Sequence, residues 1–198
     1  MDTIYECANN FIELENTKYH FVFVQNRKSH DIVLDFCPTD FRHAIGLHHV
    51  TDIVIENNPS KMIEAILKEP IEITDKKLEE SKKYKEISPY SGSIKERVSD
   101  MRFLVECLDA SDFMRIYQIQ SFGSQISADY FIETYCRKIK SNVYIFIRKR
   151  DESENYVIVS FFRKKIQFNG VSTYWMLKEK INELGTTIEL FRHQNYKP

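Results

Sequence analysis

Apolar residues recur at spacings of three and four at the start of the chain. Ile4, Cys7, Ala8, Phe11 and Leu14 form one stripe, which predicts an amphipathic helix over about 3–15. The pattern then changes to alternation in Tyr19–Val24 and again in Asp31–Phe36, with Asn26–Arg27–Lys28–Ser29 between them. That is the signature of a β-hairpin. Pro38 next offers a helix start, and a short helix over Thr39–Ile45 is expected to end at Gly46, a natural left-handed stop. Asn58–Pro59 opens another helix, carrying Met62, Ile63, Ile66 and Leu67 and stopped by Pro70.

Thr74 to Lys85 is charged and poor in apolar residues, which predicts an exposed helix or a surface linker. Ser88–Gly92 reads as a turn, and Ser93 with Glu96 three residues on reads as a capping box. The helix that follows runs through Ile94, Val98, Met101, Leu104, Val105 and Leu108, so its stripe is expected to be core. Beyond it the pattern is mainly β, with runs at Met114–Ile119, Ile126–Tyr135, Val143–Arg148 and Tyr156–Phe162. Met176–Leu184 is expected as a last helix before Gly185, and Thr186–Phe191 as a closing strand. The order predicts an α+β fold. An antiparallel sheet of four or more strands carries helices on one face, in a single domain over 1–198 with a helical segment at about 59–108.

Composition narrows the class. Of the 198 residues 42% are hydrophobic and 29% charged, ordinary values for a folded domain. No stretch of apolar residues is long enough for a membrane helix, and the first residues lack the basic and apolar regions of a signal peptide. Cys7, Cys37, Cys107 and Cys136 are widely spaced with no Cys-x-x-Cys pair, which points to reduced thiols in a cytoplasmic protein. The net charge is −1, but it is unevenly spread. Residues 1–80 hold 8 Lys and Arg against 15 Asp and Glu, and residues 81–198 hold 20 against 14. A basic half beside an acidic one permits a polyanionic partner on one face, although a charge run is more often a solvated surface.

Three histidines, His43, His48 and His49, fall within seven residues at the end of the expected short helix. Imidazoles titrate near neutrality, so such a group suits acid–base chemistry or metal binding. The zinc spacing is poor: there is no His-Glu-x-x-His, and no Cys pair to complete a ligand set. Asp40 and Asp52 stand near enough in sequence for a two-histidine carboxylate site, but nothing specifies one, and no metal or cofactor is expected. The plainer alternative is a capped helix end, with His48 and His49 on the final carbonyls.

Ser160, within the apolar run Val157–Phe162, is either a satisfied core hydroxyl or a group aimed into a cleft, and no Gly-x-Ser-x-Gly elbow surrounds it. Tyr90–Ser93, with Lys95 and Arg97 behind, has the look of a phosphate-holding helix start, against the commoner reading of an ordinary cap.

Two segments, Asp40–Phe–Arg–His–Ala–Ile–Gly–Leu–His48 and Tyr156–Val–Ile–Val–Ser–Phe–Phe162, resemble those of a group of phage and mobile-element nucleases. This is the fourth set of barnase–EndoU–colicin–RelE-like domains, with an F-x-H-L-x-G-L segment after a hairpin and later a Y-x-x-x-S-F-F strand. Ala44 stands where Leu is usual, while Gly46 and Leu47 match. The resemblance spans about residues 15–195 and implies a metal-independent ribonuclease acting by 2′-OH transesterification. His43 matches the family's His and becomes the acid or base. Ser160 matches the late Ser and becomes a donor to the phosphate. Chemistry alone selects Arg97 as a catalytic cation, and Arg115, Arg148 and Arg163 as contacts to the phosphates. His48, Tyr90 and Tyr130 complete the expected substrate contacts.

The expected partners are RNA and a restraining inhibitor or immunity protein, with no membrane. The competing reading is a non-catalytic protein- or RNA-binding module such as a phage-encoded inhibitor. Convergence of His43, Ser160 and an arginine in one cleft is what separates the two.

Overall fold

The computed structural model describes residues 2–120 and 124–197. Helix α1 (Thr3–Ile12) buries Ile4, Cys7, Ala8 and Phe11, the stripe expected from its periodicity. The Asp75 carboxylate closes its N-terminus, accepting from Thr3 N at 2.6 Å and Ile4 N at 3.0 Å. Strands β1 (Lys18–Gln25) and β2 (Lys28–Leu34) form the hairpin. Asn26 and Arg27 both take positive φ, as a two-residue turn matched to strand twist requires.

Six α-helices follow among the described residues between the hairpin and the C-terminal strands: α2 (Phe41–Ala44), α3 (Pro59–Leu67), α4 (Asp75–Leu78), α5 (Lys82–Lys85), α6 (Ile94–Met101) and α7 (Leu104–Ala110). The segment expected as an exposed helix or linker is thus two one-turn helices. They are capped by Thr74 and Ser81, and each anchors one apolar side chain, Leu78 or Tyr84. The helix expected over 93–108 is two helices. It breaks where Phe103 N donates to Asp100 O, a three-residue turn that tightens and ends α6.

The strands β3 (Phe113–Tyr117), β4 (Tyr130–Cys136), β5 (Ser141–Lys149), β6 (Tyr156–Arg163), β7 (Gly170–Ser172), β8 (Tyr174–Ile181) and β9 (Thr187–Arg192) join the hairpin in one curled sheet. Its order is β7-β3-β4-β5-β6-β2-β1-β8-β9. Three expectations change here. The sheet is mixed, because β2 and β6 run parallel, meeting at Leu34 and Tyr156, while every other neighbouring pair is antiparallel. The helices are not a single layer on one face. The expected last helix is β8, paired with β1 from Lys18↔Ile181 to Val24↔Tyr174. Lys, Glu and Leu favour a helix locally, but β1 offers an open edge and Phe21 and Phe23 offer Trp175 an aromatic seat, so tertiary pairing overrides propensity.

Strands β4 to β6 are buried on both faces. Ile145 and Ile147 point into the main core with the helices, whereas Tyr144, Phe146, Phe131, Phe162 and Phe168 form a second aromatic cluster. Each such ring contributes about 1.5–3 kcal/mol by burial. Two-sided burial is why these strands read as nearly continuous apolar runs. Among the described residues no helix is long and apolar enough to cross a membrane.

Candidate active site

The histidine segment is fixed from below by ionic contacts. After β2 the chain turns through Pro38–Asp40, where the Asp40 carboxylate accepts from Cys37 N at 2.9 Å. The Arg150 guanidinium grips both Asp40 oxygens, at 3.0 and 2.8 Å, and reaches Asp35 at 2.8 Å. This fork joins the strand-to-helix turn to the end of β5, a planar match that arginine makes and lysine cannot.

Helix α2 then buries Phe41 and Ala44 and, with Ile45 and Leu47, anchors the segment in the core. His43, His48 and His49 are left on the outer side. Their rings lie against one another, with centroids 4.5 Å apart for His43–His48 and 3.8 Å for His48–His49. His48 Nδ1 stands 3.5 Å from the Arg42 carbonyl, a long contact that favours the proton on Nδ1 and leaves Nε2 as the acceptor.

Gly46, between α2 and the turn Leu47–His49, has φ +82°. A Cβ there would lie 3.0 Å from Arg97 Nη1. Glycine is needed twice over, for the left-handed backbone and for the close approach of the guanidinium.

Arg97 extends from α6. Its Nη2 donates to Ser91 Oγ at 2.6 Å and its Nη1 to Ser160 Oγ at 3.4 Å, and its guanidinium carbon lies 5.0 Å from the Phe162 ring centre. Burial lowers its pKa to about 10, so it remains cationic at neutral pH. Arg148, on β5, has a buried Nε with no hydrogen-bond partner among the described residues.

Opposite them β6 carries a bulge. Phe146 pairs with Ser160 and Ile147 with Ile158, so Val159 is the extra residue, and both Val159 and Ser160 line the space beside Arg148.

These groups enclose a cavity of about 730 Å³. Its wall holds His43, His48, His49, Arg97 and Arg148, with Ser88, Ser91, Ser160 and the segment 124–127 supplying polar groups and Tyr90, Val159 and Phe168 apolar surface. Among the described residues no Asp or Glu lines it. Burial is the largest influence on all three imidazoles and lowers each pKa. Arg42 and Arg148 push His43 further down, the neighbouring imidazoles take His48 to about 4, and Arg97 acts on His49. The three rings are therefore neutral at pH 7 in a cavity whose fixed charges are positive. Among the described residues no group of three His, Cys, Asp or Glu side chains is disposed to hold a metal.

The family described as phage-Barnase-EndoU-ColicinE5/D-RelE like nuclease4 matches residues 3–192. The chain belongs to that family. No curated protein and no solved structure matches it. In this nuclease-family chain the two segments that carried the resemblance, around His43 and around Ser160, face one cavity.

Of the residues singled out from sequence, His43, His48, Tyr90, Arg97, Arg148 and Ser160 line that cavity, and three do not. Arg115 pairs with Glu133 at 3.3 Å and Ser172 at 2.7 Å. Arg163 forks onto the buried Asp100 at 2.5 and 2.8 Å. The Tyr130 hydroxyl meets His30 Nδ1 at 3.1 Å beneath Phe23. The structure thus places all three away from the cavity, the two arginines on carboxylates and Tyr130 on an imidazole.

The helix start at Ser93 is an ordinary cap. Ser93 and Glu96 exchange hydrogen bonds of 3.0 and 3.1 Å, so a carboxylate occupies the place a phosphate would take. His49, Ser88, Ser91 and 124–127 joined the site without being singled out as site residues. The sequence marks His49 only as one of a histidine group suited to acid–base chemistry, metal binding or a helix cap, and Ser91 only as part of the Tyr90–Ser93 turn.

Proposed function

We propose that the chain is a metal-independent endoribonuclease that cleaves by 2′-OH transesterification at this cavity. The observation that carries the reading is a cavity with no acid among the described residues that line it, where two arginines with no carboxylate partner among those residues face neutral imidazoles in a nuclease-family chain. A phosphodiester is the natural complement: Arg97 and Arg148 hold its non-bridging oxygens, and the Ser160 hydroxyl, which accepts from Arg97, is free to donate to one of them.

Neutral His43 accepts the 2′-hydroxyl proton as the 2′-oxygen bonds to phosphorus. The bond from phosphorus to the 5′-oxygen breaks, and a second of the three stacked imidazoles, which takes a proton from solvent as the phosphorane gathers its second negative charge, protonates the leaving oxygen. The products are a 2′,3′-cyclic phosphate and a 5′-hydroxyl. The need for a 2′-hydroxyl makes the reaction specific for RNA over DNA.

Incubation of the protein with RNA in EDTA, followed by end-group analysis, tests this. Cyclic phosphate ends are expected, with none from 2′-O-methyl RNA. His43→Ala is expected to lower the rate by about 10²–10⁴-fold. Ser160→Ala is expected to cost less, since one donor is lost and the proton path kept. RNA bound but never cut would favour the non-catalytic binding module instead.

A further inference from the structure

The histidine ladder has a property that cleavage alone does not require. Three imidazoles with centroids 3.8 and 4.5 Å apart cannot all carry charge, since like charges at such distances repel strongly. Arg97 and Arg148 share their cavity and Arg42 adds a third positive charge nearby, while Asp40, which opposes them at His43, is already held by Arg150 and does not line the cavity. Positive charge already set beside the rings disfavours a further proton on them, and the rings are neutral at pH 7.

An anion changes that balance. One negative charge offsets part of the arginine pair; two negative charges leave room for a proton on the ladder as well. Resting on the ribonuclease reading for its location but not for its chemistry, we propose that this cavity takes up a proton when it binds a dianionic phosphoryl group. It thereby prefers dianions, such as a terminal phosphomonoester or the doubly charged phosphorane of the transition state, over the singly charged internal diester.

The coupling is reciprocal, as linkage demands. If a dianion draws a proton onto the ladder, protonation of the ladder tightens the dianion by the same factor. The lowered imidazole pKa values agree with this, because they leave the rings uncharged at neutral pH until an anion offsets the arginines. His20 supplies an internal control: it is already held between Asp31 at 2.9 Å and Glu179 at 3.0 Å, with Arg192 3.7 Å from Glu179, and needs no added anion.

The test uses the intact protein and inorganic sulfate, which stays dianionic across the working pH range and cannot supply the proton itself. Imidazole resonances of the six histidines are titrated by nuclear magnetic resonance with and without sulfate at constant ionic strength. Binding is measured by calorimetry in buffers of different ionisation enthalpy. The expected result is uptake of about one proton, an affinity falling about tenfold per pH unit between roughly pH 5 and 7, and upward shifts at His43, His48 or His49 but not at His20.

Sulfate affinity that is independent of pH, absence of sulfate binding, or shifts confined to histidines outside the cavity would overturn the proposal. RNA cleavage without sulfate-linked proton uptake would overturn it while leaving the ribonuclease reading intact. Proton-linked sulfate binding by a protein that cleaves no RNA would support it while removing that reading.

Discussion

Gly46→Ala is the sharpest perturbation the structure offers, because it comes with its own control. Gly46 and Gly185 have nearly equal backbone angles, φ +82° and +73°. An alanine at either position takes a left-handed conformation that costs about 1–2 kcal/mol. In a chain of this size that corresponds to a fall in Tm of roughly 2–8 °C.

The surroundings differ. Nothing lies within 4 Å of a Cβ at Gly185, whereas at Gly46 the Cβ meets Arg97 Nη1 at 3.0 Å, Arg97 Cζ at 3.7 Å and Ile94 Cγ1 at 3.7 Å. To restore an ordinary contact of about 3.5 Å the guanidinium must retreat by about 0.5 Å. Its Nη1 bond to Ser160 is already 3.4 Å and has little room to lengthen, while the 2.6 Å bond to Ser91 resists movement of the guanidinium. Misplacement on this scale within a reacting site costs up to about 10²-fold in rate.

Thermal melts and RNA cleavage in EDTA are to be compared for Gly46→Ala and Gly185→Ala. Similar losses of Tm are expected, with a large loss of cleavage only at Gly46. Equal cleavage by the two variants would refute the view that Gly46 places Arg97 for the reaction.

Other outcomes follow from the same contacts. Arg163→Ala leaves Asp100 buried and unpaired, and since Arg163 is part-exposed a loss of about 2–3 kcal/mol is expected in denaturant unfolding, with no change in the salt dependence of RNA binding. Arg148→Ala should do the reverse, holding stability and reducing the salt slope by about one. The cavity imidazoles have folded pKa values below the usual 6.5, so the unfolded chain binds protons first. Their contribution is complete above about pH 6.5 and is lost as pH falls towards 4. Melts in that window should decline less steeply for His48→Gln. His20, whose pKa is raised, works in the opposite sense: its contribution is full below 6.5 and fades as pH rises through the folded value.

Local pattern was legible wherever one element settles its own conformation. The stripe of α1, the hairpin and its turn, the cap at Ser93 and the stop at Gly46 all follow from residues within a few positions of one another. Elements whose conformation depends on a distant partner were not. β8 is a strand because β1 is there to receive it, and the parallel join of β2 to β6 rests on a single pairing that leaves no mark in either segment. The site divides along the same line. His43 and Ser160 stood out through motif, and Arg97 and Arg148 through charge, yet charge picked out Arg115 and Arg163 equally well. What distinguishes them is the presence or absence of a carboxylate across space, at Glu133 and Asp100.

The pairing of β1 with β8 also sets an order of events during synthesis. Lys18 leaves the ribosome long before Ile181, so the outer edge of the hairpin has no β8 partner while the residues between them are made. At about 5–20 residues per second that interval is on the order of ten seconds or more. Throughout it the apolar side chains Phe21 and Phe23 lack their Trp175 cover. The cavity is completed just as late, since its walls run from His43 to Phe168. A nascent chain short of that point carries the histidines without the strand bearing Ser160 and the loop bearing Phe168, so the cavity comes into being only when translation of this region is nearly finished.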